Sequence, residues 1–200
     1  MNYAQTLLTT LGFLFTVSMT GCGGYSFESR GNTWKKEGVQ RVFISTLENK
    51  TLKTGVEVPF AAALMREFSR GNRIKLVGKE HEADAILEAA VEIVDTRSFS
   101  QATVAQISPN DPKAQELSDF AVTSEYIVSA SMSVQLRRVR DSKQLWSQSF
   151  SRSKIFPGSN KFGLQGSTSM IINGSQEQLA LSEIAQFLAS DAHDAMFEAF

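Results

Sequence analysis

The sequence EYIVSASMSVQLRRVR, residues 125–140, alternates apolar and polar side chains almost without interruption. A period of two residues is typical of a β-strand that has one face in the core and the other in solvent. The apolar set comprises Tyr126, Val128, Ala130, Met132, Val134 and Leu136. After Arg140-Asp141-Ser142-Lys143, residues 144–156 place Trp146, Phe150 and Phe156 on one side. We therefore predict a long β-hairpin.

The patterns on either side of this hairpin predict further strands and two helices. Residues 39–46 and 74–77 have the composition of short strands, and residues 85–93 alternate like a half-buried strand. Helical spacing of apolar residues predicts helices over 57–70, with the core stripe Phe60, Leu64 and Phe68, and over 177–200. We expect an α/β fold, a two-layer sandwich in which two helices pack on one face of a mixed sheet of about four strands.

Two stretches lack either period and predict long loops. Residues at about 96–124 include Ser108-Pro109-Asn110-Asp111-Pro112, and residues at about 157–176 are rich in Gly and Ser. With these loops, residues 39–200 are expected to form a single domain.

The only cysteine of the chain, Cys22, ends a short apolar N-terminal segment. That segment, residues 7–17, is shorter than the ~20 residues that a membrane-spanning helix needs. The small residues Thr20 and Gly21 precede the thiol, as a cleavage site requires. The pattern predicts a lipoprotein signal peptide at 1–21 and a lipidated tether at 22–38, with covalent diacylglycerol and an N-acyl chain on Cys22. The alternatives are an ordinary secretory signal with a chance cysteine and a buried N-terminal helix.

The overall charge excludes a general basic surface. The chain has 20 Lys and Arg against 21 Asp and Glu, for a formal net charge of −1. We therefore predict no nucleic-acid partner.

The sequence contains little that is typical of a catalytic or metal-binding site. The two histidines, His81 and His193, lie in different predicted elements, and the spacing typical of metal ligands is absent. We therefore predict no enzyme activity, no metal and no further cofactor. An envelope hydrolase built on Glu80, His81 and Asp84 is kept as an alternative.

Several short motifs follow Cys22 in a characteristic order. They are Val42-Phe43-Ile44, Leu47-Glu48-Asn49-Lys50-Thr51, Gly55-Val56-Glu57-Val58-Pro59, Leu64-Met65-Arg66-Glu67-Phe68, Lys75-Leu76-Val77 and Glu82-Ala83-Asp84-Ala85-Ile86-Leu87, and then Leu136 to Arg140 and Leu145-Trp146. This order resembles that of the lipopolysaccharide-assembly lipoprotein family (LptE-like). Glu88-Ala89 departs from the family, whose strand usually carries Gly there.

The resemblance implies a lipoprotein of the cell outer membrane, held on its periplasmic face by the lipid anchor. Such a protein assists the assembly of an LptD-type β-barrel, plugs it, and supports the transport of lipopolysaccharide to the cell surface. Family members are also expected to bind lipopolysaccharide directly. The alternative within the same class is a lipoprotein subunit of a different envelope exporter.

The predicted hairpin turn carries a local excess of positive charge. Arg137, Arg138, Arg140 and Lys143 lie within a few residues of one another, with Asp141 as the only acid among them. Arginine pairs well with phosphate, so these four residues are the predicted lipopolysaccharide-binding site. The alternative is a solvated turn whose basic residues protect a sheet edge.

Overall fold

The computed structural model describes residues 37–70, 74–104, 120–159 and 167–199. Cys22, the signal peptide and most of the tether lie outside the described residues. The elements follow one another as β1 (Arg41–Ile44), β2 (Glu48–Asn49), α1 (Glu57–Arg70), β3 (Lys75–Leu76), a 3-10 turn (Glu80–Glu82), β4 (Ala85–Val104), β5 (Phe120–Arg138), β6 (Gln144–Pro157) and α2 (Ser167–Glu198).

The strands form one mixed sheet in the order β3-β1-β4-β5-β6, and β2 pairs with β4 beyond the end of β1. β1 runs parallel to β3 and β4, whereas β4, β5 and β6 form an antiparallel meander. The α/β class and the two-layer arrangement are confirmed. The strand count of about four was too low: the sheet has six strands, and β2, which contains only two residues, leaves no pattern in the sequence.

The core lies between the inner face of the sheet and the two helices. All the predicted inward residues of β5 from Val128 to Leu136 are buried. Trp146, Phe150 and Phe156 of β6 lie on the same face, opposite Leu136, Met132 and Tyr126. Helix α1 contributes Phe60, Leu64 and Phe68, each no more than 1% exposed. Helix α2 contributes Leu181, Ile184, Leu188, Ala192 and Met196. None of the helices within the described ranges is both long and apolar enough to cross a bilayer.

The predicted loop at about 96–124 is wrong at both of its ends. β4 continues through Val104 and β5 begins at Phe120, while residues 105–119 lie outside the described residues. The alternation of apolar and polar residues does not predict this continuation, because a bulge at Glu92 interrupts it. Val91 faces Met132, but Ile93 faces Ser131. The bulge reverses the two faces, so Ile93 is 60% exposed instead of lying in the core.

The predicted loop at about 157–176 is wrong in its second half. Helix α2 begins at Ser167, ten residues before the predicted start of the helix, and residues 160–166 lie outside the described residues. The first turns of α2 are fixed by hydrogen bonds from Ser159 N to Asn173 Oδ1, at 2.7 Å, and from the Thr96 hydroxyl to Glu177. Tertiary contacts therefore extend a helix that the polar sequence alone does not predict.

Truncation of the α1 stripe tests the core. We expect Leu64→Ala to lower the free energy of unfolding by ~2–5 kcal/mol, because the side chain is fully buried and leaves a cavity. The neighbouring Met65 is 51% exposed, so Met65→Ala should change the free energy of unfolding by no more than about 0.5 kcal/mol. Urea denaturation measures both variants. A similar, small effect for the two would contradict the assignment of Leu64 to the core.

Candidate functional site at the β5–β6 hairpin

The hairpin turn between β5 and β6 has a fixed backbone. Arg138 N donates to Lys143 O at 2.9 Å and closes the turn. Ser142 has a φ of 56°, in the left-handed region that a residue other than glycine seldom occupies. Asp141 Oδ1 accepts a hydrogen bond from Lys143 N at 3.2 Å. The tip residues Arg140 and Lys143 are therefore presented from a turn held at several points.

Arg138 is a structural residue of this turn. Its Nε and Nη2 donate to the two carboxylate oxygens of Asp141, at 2.9 and 2.7 Å. Its Nη1 donates to Glu37 Oε2 at 2.8 Å and to the Glu37 carbonyl at 3.3 Å. Arg138 is only 7% exposed. Both ends of the guanidinium are thus occupied, and Arg138 joins the last residues of the predicted tether to the hairpin.

The bidentate pair with Arg138 also changes the acidity of Asp141. The hydrogen bonds from the Arg138 guanidinium lower the pKa of Asp141 from 3.8 to about 2, and the Lys143 backbone N–H acts in the same direction. Asp141 is therefore ionised at every physiological pH. Its carboxylate is held chiefly by Arg138, and the charge of Arg140 contributes in the same direction.

Arg137 is also paired, on the outer face of the sheet that the helices leave uncovered. Its Nε donates to Glu88 Oε1 at 3.1 Å, and Gln135 Nε2 donates to Glu88 Oε2 at 2.7 Å. The Arg137 hydrogen bond lowers the pKa of Glu88, with a further contribution from Gln135. Arg137 keeps about a third of its side chain exposed. It can reach a ligand only in competition with Glu88.

Arg140 and Lys143 differ from these two arginines. Both are exposed, and neither forms an ion pair within the part of the chain that the structure describes. The structure thus brings the four predicted residues together at one hairpin but divides their roles. Arg138 and Arg137 hold the hairpin and sheet, and Arg140 and Lys143 are the cations open to a ligand.

The acidic turn next to the hairpin does not assemble the residues of the alternative hydrolase. Asp84 Oδ2 accepts hydrogen bonds from the backbone of Gln40 and Arg41, at 3.0 and 2.8 Å, and its Oδ1 pairs with the Arg41 guanidinium. The pKa of Asp84 is lowered, chiefly by the Arg41 side chain. His81 is exposed, and its Nε2 lies 3.7 Å from Glu82 Oε1. Asp84 is therefore committed to joining β1 to β4.

A polar groove on the outer face of the sheet was not predicted. It encloses about 400 Å³ where the chain leaves β1 and rejoins the sheet at β2. Its lining includes Ser45, Thr46, Lys50, Glu88, Ser133 and Ser147. Lys50 Nζ lies 3.0 Å from Glu92 Oε1, which also accepts a hydrogen bond from the Ser133 hydroxyl at 2.6 Å. The groove depends on the break between β1 and β2, which both pair with β4, and the sequence gives no clear signal of this break.

The fold and the hairpin define a class of small α/β domain, a six-stranded mixed sheet with two helices on one face. A model of the lipopolysaccharide-assembly family, LptE, matches residues 39–196. The chain belongs to this family, which confirms the resemblance of its motifs.

Solved structures that are similar to this chain at low sequence identity include three bacterial lipoproteins. Lipoprotein B from Nitrosomonas europaea is 15% identical, with a TM-score of 0.46, and the match covers 77% of this chain and 79% of that one. Rare lipoprotein B from Shewanella oneidensis is 12% identical, with a TM-score of 0.40 and coverage of 78% and 94%. Lipoprotein GNA1162 from Neisseria meningitidis is 14% identical, with a TM-score of 0.38 and coverage of 70% and 98%. No match is found among curated protein sequences.

The pH dependence of unfolding reports on the pair of Arg138 and Asp141. A carboxyl group whose pKa is lower in the folded chain stabilises the fold above its unfolded pKa, and this contribution is lost as the pH falls through the folded pKa. For Asp141 the window runs from 3.8 down to about 2. Over this window we expect the free energy of unfolding of the wild type to fall more steeply than that of Asp141→Asn.

Urea denaturation at a series of fixed pH values measures this difference. Asp95→Asn is the control, because Asp95 is an exposed carboxyl on the outer face, away from the hairpin. It should keep the wild-type slope. If Asp141→Asn also kept that slope, the Arg138 contact would not be controlling the acidity of Asp141.

Proposed function

We propose that this chain is an outer-membrane lipoprotein that assists the assembly of an LptD-type β-barrel, plugs it, and supports the transport of lipopolysaccharide to the cell surface. Covalent diacylglycerol and an N-acyl chain on Cys22 would hold it on the periplasmic face of the membrane. The observation that carries the proposal is the match to the lipopolysaccharide-assembly family over residues 39–196. The proposal contains no catalytic step.

The hairpin supports direct contact with lipopolysaccharide. Lipid A carries phosphate groups, and exposed Arg and Lys side chains bind phosphate through charge-assisted hydrogen bonds. Arg140 and Lys143 present such groups from a turn that Arg138 and Asp141 hold rigid. Because the backbone of the turn is already fixed, contact with a ligand requires little further ordering of the main chain, which lowers the entropic cost of binding. We therefore assign the ligand contact to Arg140 and Lys143, with Arg137 as a weaker contributor.

The lipid anchor is tested at Cys22. We expect Cys22→Ser to abolish the uptake of labelled palmitate and to leave an unprocessed precursor, because the thiol is the only acceptor of its kind in the chain. The wild type should carry the label and fractionate with the outer membrane. Equal labelling of the variant and the wild type would refute lipidation at Cys22, and recovery of the labelled wild type from the inner membrane would refute the proposed location.

Reversal of the free cations tests the lipopolysaccharide site. We expect Arg140→Glu combined with Lys143→Glu to weaken lipopolysaccharide binding by on the order of tenfold at low ionic strength, and by less as salt screens the charges. Binding of the full lipoprotein in detergent to immobilised lipopolysaccharide, over a series of salt concentrations, measures this. The variant should still co-purify with the LptD-type barrel.

The control for this double variant is Arg66→Glu combined with Arg70→Glu. It changes the net charge equally, but on exposed residues of α1. Equal loss of binding in both double variants would show a general charge effect and refute the hairpin site. If the tagged wild type co-purified with no LptD-type barrel, the plug proposal would be wrong, whatever the result at the hairpin.

A further inference from the structure

One edge of the sheet, formed by β6, is unpaired along its length in the part of the chain that the structure describes. β6 extends from Gln144 to Pro157 and pairs with β5 alone. Proteins usually protect such an edge with a bulge, a proline, a very short strand or charged side chains. Here the bulge lies at Leu145 and the proline at Pro157, so both interruptions are at the ends. A continuous edge remains between them.

The register with β5 determines which backbone groups of β6 point to the free edge. Before the bulge Arg138 N donates to Lys143 O at 2.9 Å, and at the far end Gly158 N donates to Ser124 O at 2.8 Å. Antiparallel pairs alternate between hydrogen-bonded and non-bonded positions, so the even-numbered residues of β6 after the bulge bond to β5. The N–H and C=O groups that point outwards therefore belong to Ser147, Ser149, Ser151, Ser153 and Ile155.

We propose that this edge pairs two copies of the chain in antiparallel orientation, about a two-fold axis at Ser151. In this register Ser151 faces its own counterpart, Ser149 faces Ser153 of the second copy, and Ser147 faces Ile155 of the second copy. The outward N–H and C=O groups of these five residues then all have partners. A two-fold axis at the neighbouring Phe150 would instead set Ile155 against the bulge at Leu145 and leave its groups unpaired.

The side chains favour a second copy as the occupant of this edge. On the outer face, Ser151 would meet Ser151 and Ser149 would meet Ser153 of the second copy. Serines are small and hydrogen-bond to one another, as Ser129 and Ser153 already do at 2.8 Å. On the inner face, the half-buried Trp146 would meet Phe156 of the second copy. Aromatic pairs opposite each other stabilise antiparallel strands.

The charges along β6 are compatible with the same register. Arg152 would face Phe150 of the second copy, and Lys154 would face Gln148, so like charges do not meet across these pairs. Both cations are also held by acids of their own α2. Arg152 Nη2 lies 2.8 Å from Asp191 Oδ2, and Lys154 pairs with Glu183. Like charges directly opposite would destabilise the pairing, and this register avoids them.

A two-fold arrangement closes on itself and uses the same edge in both copies, so it gives a dimer and no longer assembly. The inference concerns the lipoprotein free of any barrel. It rests on the register of β6 and is independent of the proposed function.

A proline at the axis gives the first test. Ser151→Pro removes a backbone donor that points away from β5, so an edge strand tolerates it while the contact between copies loses its central hydrogen bonds. Ser151→Ala keeps that donor. By sedimentation equilibrium of the full lipoprotein in density-matched detergent, we expect two chains per particle for the wild type and Ser151→Ala, and one for Ser151→Pro. A wild type with one chain per particle at its highest soluble concentration, or a Ser151→Pro variant that pairs as the wild type does, would overturn the proposal.

Cysteine cross-linking gives a second test that holds even if the proline variant fails to fold. Two copies of residue 151 on the axis would have Cα atoms about 5.5 Å apart, within the reach of a disulfide. Two copies of residue 147 would be roughly 27 Å apart, at eight residues along the strand. Ser151→Cys should therefore yield a disulfide-linked dimer under mild oxidation, whereas Ser147→Cys and the wild type, which retains Cys22, should not. Equal linking of the two variants, or linking of Ser151→Cys to a barrel protein instead of to itself, would show that the edge does not join two copies.

Discussion

Burial of the alternate residues of β5 is the constraint on which the rest of the structure depends. β5 is the centre of the meander, and its inward residues from Val128 to Leu136 are covered by the helices. A shift of one residue in its pairing would bring Ser129, Ser131 and Ser133 into the core and expose the apolar set. The pairing that avoids this fixes the positions of β4 and β6. It thereby also fixes the hairpin at one end of β5 and the backbone groups that β6 directs to the free edge.

The sequence predicts the parts of the fold in which one pattern continues without interruption. The alternation of β5, the apolar stripe of α1 and the turn at Asp141 each depend on neighbouring residues, and each is confirmed. The continuation of β4 past residue 95 could not be predicted in the same way. The bulge at Glu92 reverses the faces, so the period on which the prediction depends changes phase within the strand.

The candidate site was predictable in position but not in the roles of its residues. Four basic residues near one turn are visible in the sequence, and the structure does place them together. The partners of Arg137 and Arg138 are not visible, because Glu88 lies 49 residues from Arg137 and Glu37 lies 101 residues from Arg138 along the chain. Only the fold brings those acids to the hairpin, and only then do Arg140 and Lys143 differ from the two arginines before them.

The motif residues of the family make structural contacts at the edge of the sheet. Asn49 Nδ2 donates to Glu57 Oε2 at 2.8 Å and to Lys53 O at 2.9 Å, and so ties β2 to the start of α1. Asp84 does the same for β1 and β4. These contacts give the motif residues a structural role. Of the two exposed cations of the hairpin, Arg140 ends the motif Leu136 to Arg140 and Lys143 lies outside the motifs. The contact of Glu37 with Arg138 has a geometric consequence for a chain acylated at Cys22 as proposed. Because an extended chain spans at most ~3.6 Å per residue, the 15 residues from Cys22 to Glu37 keep Glu37, the residue that Arg138 binds, within roughly 54 Å of the lipid surface that holds the anchor, however the domain turns.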